Sequence, residues 1–266
     1  MGSMTEIRPG RRINLSVYKN NPLKPTLFMI HGMGGRGYQW RSQIQYLKDT
    51  YNLIVPDLLG QGDSEKPRPE HQVNPYSFEE LKKDIQALFD SYAGDKNYVF
   101  GHSYGGAFAV SLAKENKTRV QKLVLITPVS CQPFTEIPSA YLLPAPLLEL
   151  MRDYLDKSFE KLAFAPTDDL LLLKEEKEGR DLNRMYVIKA LLQGMKTIPF
   201  MQVSQLELPS IVISGKLDRV IPAAVVREFY TKLPRHQLYE IDNAAHMVHL
   251  EKSGEVNSLL EQFLAK

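Results

Sequence analysis

Ser103 sits in the run Gly101-His102-Ser103-Tyr104-Gly105-Gly106. An apolar stretch at 97–100 leads straight into it, and a helix-compatible stretch at 107–114 leaves it. A serine on so sharp a strand-to-helix turn presents its hydroxyl at the end of a sheet. Glycines two residues away on either side let the backbone bend without steric clash. The amides that open the following helix point at the site and favour negative charge there. The chemistry this suits is attack by a serine nucleophile on a carbonyl. The plainer alternative is a glycine-rich turn with a serine helix cap.

A serine hydroxyl needs a base. The six histidines are His31, His71, His102, His236, His246 and His249. Where the nucleophile sits on such a turn, the acid and then the histidine follow it along the chain, which leaves the last three. His236 opens a strand after Pro234-Arg235 and reads as exposed. His246 follows the last strand and Ala244-Ala245, at the carboxyl end where catalytic groups of open sheets collect. His249, nearer the next helix, reads as a satisfied packing histidine. His246 is the expected base.

Imidazole needs a carboxylate to fix its tautomer. The strand at 210–214 ends in Gly215-Lys216-Leu217-Asp218, so Asp218 lies just past its carboxyl end. The preceding strand is followed by Thr127-Pro128-Val129-Ser130, which carries no acid. Asp242 is too near His246 along the chain and reads as a turn cap. An oxyanion hole is expected from the backbone amides of Met33, in His31-Gly32-Met33-Gly34-Gly35-Arg36-Gly37, and of Tyr104. That glycine-rich loop lacks both the P-loop Lys-Ser/Thr and the dinucleotide-binding spacing, so a phosphate site is excluded.

These groups need a scaffold of buried strands. Short, nearly continuous apolar runs at 26–30, 53–55, 97–100, 122–126, 210–214 and 237–241 predict strands buried on both faces. The run 13–18 alternates and predicts an antiparallel edge. Ser77-Phe78-Glu79-Glu80 is a capping box opening a helix with Leu81, Ile85, Leu88, Phe89 and Tyr92 on one face. Val256, Leu259, Leu260, Phe263 and Leu264 share a face near the end. Alternation of strand and helix predicts a doubly wound, mostly parallel α/β sheet. It breaks once, after the strand ending at Ile126, where more than eighty residues show no convincing strand. Pro133, Pro138, Pro144 and Pro146 open that stretch, and helices are predicted at 147–155, 168–177 and 184–195. So long a break exceeds a loop. The expectation is a core of residues 1–128 and 201–266 with a helical cap at 129–200.

Composition permits this and little else. In 266 residues, 43% hydrophobic and 24% charged, a sizeable core can form. A net charge of +2, with lysines and arginines scattered among acids, excludes a nucleic-acid stripe. One cysteine, Cys131, excludes an internal disulfide and fits a reducing, cytoplasmic setting. No run approaches the ~20 apolar residues of a bilayer span. Arg8, Arg11 and Arg12 precede no apolar run, so no secretory signal is expected, and Glu6 breaks the myristoylation pattern. Met1-Gly2-Ser3 ahead of Met4 reads as an appended remnant.

The sequence resembles the α/β-hydrolase family over nearly its whole length. The resemblance rests on His31-Gly32-Met33-Gly34, on Pro56-Asp57-Leu58-Leu59-Gly60-Gln61-Gly62-Asp63-Ser64, on 101–106, on Asp218 and on Ala245-His246. Within that family it looks closest to the capped abhydrolase-domain proteins, from 30–35, 101–105 and 246–251. The 56–64 stretch is similar to a turn that is structural in the family. Epoxide hydrolases and haloalkane dehalogenases place an aspartate where Ser103 stands, and carbon–carbon bond hydrolases a proline in the loop after His-Gly, absent here. The acyltransferase H-x-x-x-x-D pattern is not found in a catalytic position.

Together these readings imply hydrolysis of a carboxylic ester through an acyl-enzyme, with no metal or organic cofactor. The expected substrate is a small apolar acyl or aromatic ester, met by Trp40, His102, Tyr141, Leu147, Met151, Met185, Val220 and Met247. At helical spacing such side chains equally pack a cap onto its core. A thioesterase, lactonase or perhydrolase would use the same residues, and hydrolase folds also serve as ligand-binding proteins.

Overall fold

The computed structural model describes residues 2–19, 21–69, 74–130 and 136–266. Met1, His71, Cys131 and Pro133, named above, lie outside them. In chain order the elements are β1 (Ser3–Arg8), β2 (Arg11–Tyr18), β3 (Thr26–Ile30), α1 (Arg41–Leu47), β4 (Asn52–Pro56), α2 (Phe78–Tyr92), β5 (Asn97–His102), α3 (Tyr104–Glu115) and β6 (Val120–Ile126). Then come α4 (Ala145–Leu150), α5 (Arg152–Ala163), α6 (Leu170–Asp181) and α7 (Met185–Met195). The chain closes with β7 (Ser210–Gly215), α8 (Ala223–Tyr230), β8 (His236–Ile241), α9 (Val248–Glu251) and α10 (Ser253–Leu264).

The eight strands form one sheet in the order β1-β2-β4-β3-β5-β6-β7-β8. β1 and β2 are antiparallel to their neighbours, and the other pairings are parallel. Each central strand feeds two cores, because successive side chains face opposite sides. Phe28, Ile30, Ile54, Val99, Leu123, Leu125 and Val212 point to the α2/α3 side. Leu27, Met29, Leu53, Val55, Phe100, Val124, Ile126 and Ile213 point to the α1/α10 side. That is why the runs are apolar without alternation.

From β3 the chain steps to β4, then crosses back past β3 to β5 and continues outward. The order reverses there, so loops leave β3 and β5 in opposite directions and open a crevice at their carboxyl ends. The loop after β3 and the turn after β5 border it.

Three expectations are revised. β1 was not foreseen, and Ser3 and Met4 already pair with Leu15 and Asn14. Its residues alternate and are half-exposed, the pattern of an edge strand and not of a buried run. The capping box is half-formed: the Glu80 amide donates to Ser77 Oγ at 3.3 Å, whereas the Glu80 carboxylate turns to Arg8 and Lys83. The helix expected at 147–155 is two helices, α4 and α5, which meet at Met151. Among the described residues no helix is long and apolar enough to cross a membrane.

Candidate active site

Ser103 takes φ +51°, ψ −120° between β5 and α3, a conformation costing about 1–3 kcal/mol that turns of this kind hold by packing. The packing is close: a Cβ on Gly105 would overlap the Ile30 carbonyl oxygen, so α3 can approach β3 only with glycine there. Tyr104 opens α3 with its ring buried against Phe108 and Phe78, at 4.6 and 6.4 Å. Burial drives its phenol pKa far upward. Its side chain therefore belongs to the core and its first-turn amide to the helix N-terminus.

Asp218 and His246 are brought together. His246 Nδ1 lies 2.8 Å from Asp218 Oδ2, and both residues are buried. A carboxylate only accepts, so Nδ1 carries a proton, and the tautomer this selects for the neutral ring has its lone pair on Nε2. Asp218 Oδ1 accepts the Val220 and Ile221 amides, each at 2.8 Å, which fixes the carboxylate plane. The turn carrying it is bonded to the histidine loop, Leu217 donating to the Ala244 carbonyl at 2.9 Å.

The His246 carbonyl is held by two donors, His102 Nε2 at 3.1 Å and Thr127 Oγ1 at 3.0 Å. His102, the neighbour of Ser103 in sequence, sets its ring 4.9 Å from that of His246, tilted by 49°. Burial, with the His249 and His246 rings, holds the His102 imidazole neutral, well below its ordinary pKa. Its unprotonated Nδ1 faces the loop after β3: a Cβ on Gly32 would sit 3.0 Å from it and 2.9 Å from the Ser103 Cβ. The strand end bearing Ser103, the histidine loop and the glycine loop thus adjoin.

The glycine loop is pinned from outside. The Gly34 amide donates to Gln61 Oε1 at 2.6 Å, and the Gly34 carbonyl accepts from Asn183 Nδ2 at 2.7 Å. The Gly35 amide turns back to the Gly32 carbonyl. His31 donates from Nδ1 to Gly32 O and accepts the Leu58 amide at Nε2. Burial lowers its pKa, and both ring nitrogens are committed in the neutral form. Met33 follows Gly32, half-buried against the α2/α3 core.

The remaining sequence candidates scatter. Trp40 is fully buried, its ring near His249, Phe100 and His102, so it anchors the core beneath the site. Met151 and Met185 pack with Leu148 and Leu155 inside the inserted helices, and Tyr141 bridges them to the sheet. Val220 and Met247 pack with Phe164 beside the acid and histidine loops. Leu147 is 45% exposed, because its neighbour Leu148 takes the inward face of α4.

Three acid and histidine readings also change. His236 is half-buried and bonded to the Leu233 carbonyl at the amino end of β8, away from His246. Asp242 pairs with Lys216 on the surface. His249 packs as expected but is not satisfied: among the described residues neither ring nitrogen has a partner, and burial pushes its pKa down to about 3. Gln61, Asn183, Thr127 and Glu251 were missed as site residues. Gln61 was visible only as part of the 56–64 turn and Thr127 only as a position without an acid. Glu251 was visible only as the end of the 246–251 stretch, and Asn183 gave no local signal, since its partners are distant backbone groups.

A family model for the alpha/beta hydrolase fold matches residues 25–253. The chain is similar to Protein ABHD8 of Homo sapiens, 32% identical over 247 residues, which cover 90% of this chain and 54% of that protein. It thus spans about half the length of that curated relative. It is also similar to the AB hydrolase superfamily protein YfhM of Bacillus subtilis, 28% identical over 263 residues and 90% of each chain. A thermophilic esterase from Thermogutta terrifontis superposes with a TM-score of 0.81 at 21% identity, over 100% of this chain and 97% of that one, which speaks to the fold. The motifs, sheet order and matched span agree, and the chain belongs to the α/β-hydrolase family, resembling its abhydrolase-domain members.

Proposed function

We propose that this protein is a serine esterase acting on small apolar acyl or aromatic esters. His246 takes the proton of Ser103 as its Oγ attacks the ester carbonyl. The Met33 and Tyr104 amides stabilise the oxyanion, and the alcohol leaves after protonation by His246. Water, deprotonated by the same histidine, then releases the acid from the acyl-enzyme. The helical insertion at 129–200 serves as the cap over the crevice.

The observation that carries this reading is the buried Asp218–His246 hydrogen bond at 2.8 Å, formed beside the strained turn of Ser103. It selects the tautomer whose neutral ring has its lone pair on Nε2, the atom a general base would use. The commitment of the Gly34 and Gly35 amides to other acceptors supports Met33 as the loop donor. A serine at the turn favours an acyl-enzyme route.

Ser103→Ala tests it. The parent protein should hydrolyse 4-nitrophenyl butyrate and be labelled by a fluorophosphonate. The variant should lose labelling and at least about 10³-fold in turnover, the scale expected for a missing nucleophile. Labelling of the variant at the parent's rate would overturn the reading.

A further inference from the structure

The residues flanking His246 are both tied to one short segment at the end of α5. Glu251, closing α9, receives the Ala245 amide at Oε2 (2.9 Å) and the Ala165 amide at Oε1 (2.7 Å). The Met247 amide donates to the Ala163 carbonyl at 3.1 Å. His246 is therefore bracketed by two residues whose amides lead, one through a carboxylate and one directly, to residues 163–165. The same stretch reaches the acid loop: Arg219, next to Asp218, donates its amide to the Leu162 carbonyl and its guanidinium to the Lys161 carbonyl. Ala163, Phe164, Met247 and Leu250 fill the space between in one apolar cluster.

A half-buried carboxylate offers acceptors only, so its desolvation is offset only by donors presented to it. Here the Ala165 and Ala245 amides, both from backbone, are such donors. Burial raises the Glu251 pKa, and the two amides oppose that rise. An ordinary surface glutamate on a one-turn helix would have no reason to bridge two segments eighty residues apart.

We propose that Glu251 is a positioning residue: by fixing the Ala245 amide it holds His246 in register with Asp218, and through the Ala165 amide it makes that register depend on the seat of the inserted helices. The consequence for the reaction rests on His246 being the base.

The test is Glu251→Gln in the full chain. Glutamine keeps the size and one acceptor oxygen but replaces the other with an amino group, which cannot accept an amide proton. Hydrolysis of 4-nitrophenyl butyrate should lose about 10-fold or more in kcat while KM moves by less, as a misplaced base predicts. The His246 Nδ1 proton resonance should shift or exchange faster. Unchanged kcat with only a lower melting midpoint would make Glu251 a fastening of the insertion and overturn the proposal. If the parent has no esterase activity, the resonance alone decides, and an unaltered Nδ1 proton overturns it. Should the glutamine variant not fold, Ala165→Pro removes just the inserted-helix donor. A lower kcat and a shifted resonance support the coupling, and parental values refute it.

Discussion

Thr127 is the residue whose conformation is hardest to explain without the site. It is β-branched, fully buried and has φ +40°, a region such residues rarely enter, at a cost of about 1–3 kcal/mol. Its amide donates to the Ile213 carbonyl at 2.7 Å and its hydroxyl to the His246 carbonyl at 3.0 Å. The twist at the end of β6 is what lets one residue bond both β7 and the histidine loop. Two substitutions separate strain from positioning. Thr127→Val keeps the shape and strain but removes the donor, so it should cost about 1–2 kcal/mol of stability and also lower ester turnover. Thr127→Gly relieves the strain while losing the same donor, so its stability should stay near the parent's although turnover falls. Urea unfolding alongside ester kinetics checks the pair. If glycine restored turnover as well, the hydroxyl would have no part in holding His246.

At the scale of elements, the inserted helices are seated by α6. Arg41 at the start of α1 pairs with Glu176 at 2.9 Å and with Glu175 at 3.0 Å. Gln39 Nε2 donates to Glu176 at 2.8 Å and Arg36 to the Glu175 carbonyl at 3.3 Å. These contacts join α6 to the end of the glycine loop and to the segment directly after it. Glu176 is buried and Arg41 partly exposed, so breaking the pair should cost less than a fully buried one, about 2 kcal/mol. Glu176→Ala should therefore open α6 to limited proteolysis while the sheet resists, and cleavage no faster than in the parent would show that other contacts hold the seat. The same elements show what was legible in the sequence. Buried strands could be read, and so could the placement of Ser103, Asp218 and His246 just past strand ends, because the apolar runs mark where each strand stops. The edge strand β1 could not, since its half-exposed alternation resembles a polar leader. Leu147 and Trp40 could not be sorted either, because helical periodicity marks a face without saying whether it meets solvent, core or substrate. Thr127 and Glu251 escaped because their partners, the carbonyl of His246 and the amides of Ala165 and Ala245, are backbone groups that every sequence contains.

Across the whole molecule, three histidines are folded in as neutral rings. His31, His102 and His249 are buried, and desolvation, first in each case, lowers their pKa values. A group titrating lower in the folded chain than in the unfolded chain leaves the unfolded state holding more protons between the two values. Stability is then full above the ordinary imidazole value near 6.5 and declines as the pH falls below it. For His249, pushed down to about 3, the decline by pH 5 is about 2 kcal/mol from this residue alone. Asp84, Asp156 and Glu251, with pKa values raised by burial, act in the opposite sense, so the parent's curve alone does not isolate the histidines. Comparison with His249→Phe does, because the carboxylates cancel. The variant keeps an aromatic ring against Trp40 and His102, at 5.0 and 4.4 Å in the parent, and removes the titrating group. Whatever the larger ring costs at pH 7.5, the stability read by urea unfolding should fall between pH 7.5 and 5 by about 2 kcal/mol less than in the parent. Equal falls would mean that His249 takes up its proton inside the folded chain, and that the ring cluster behind His246 accommodates charge.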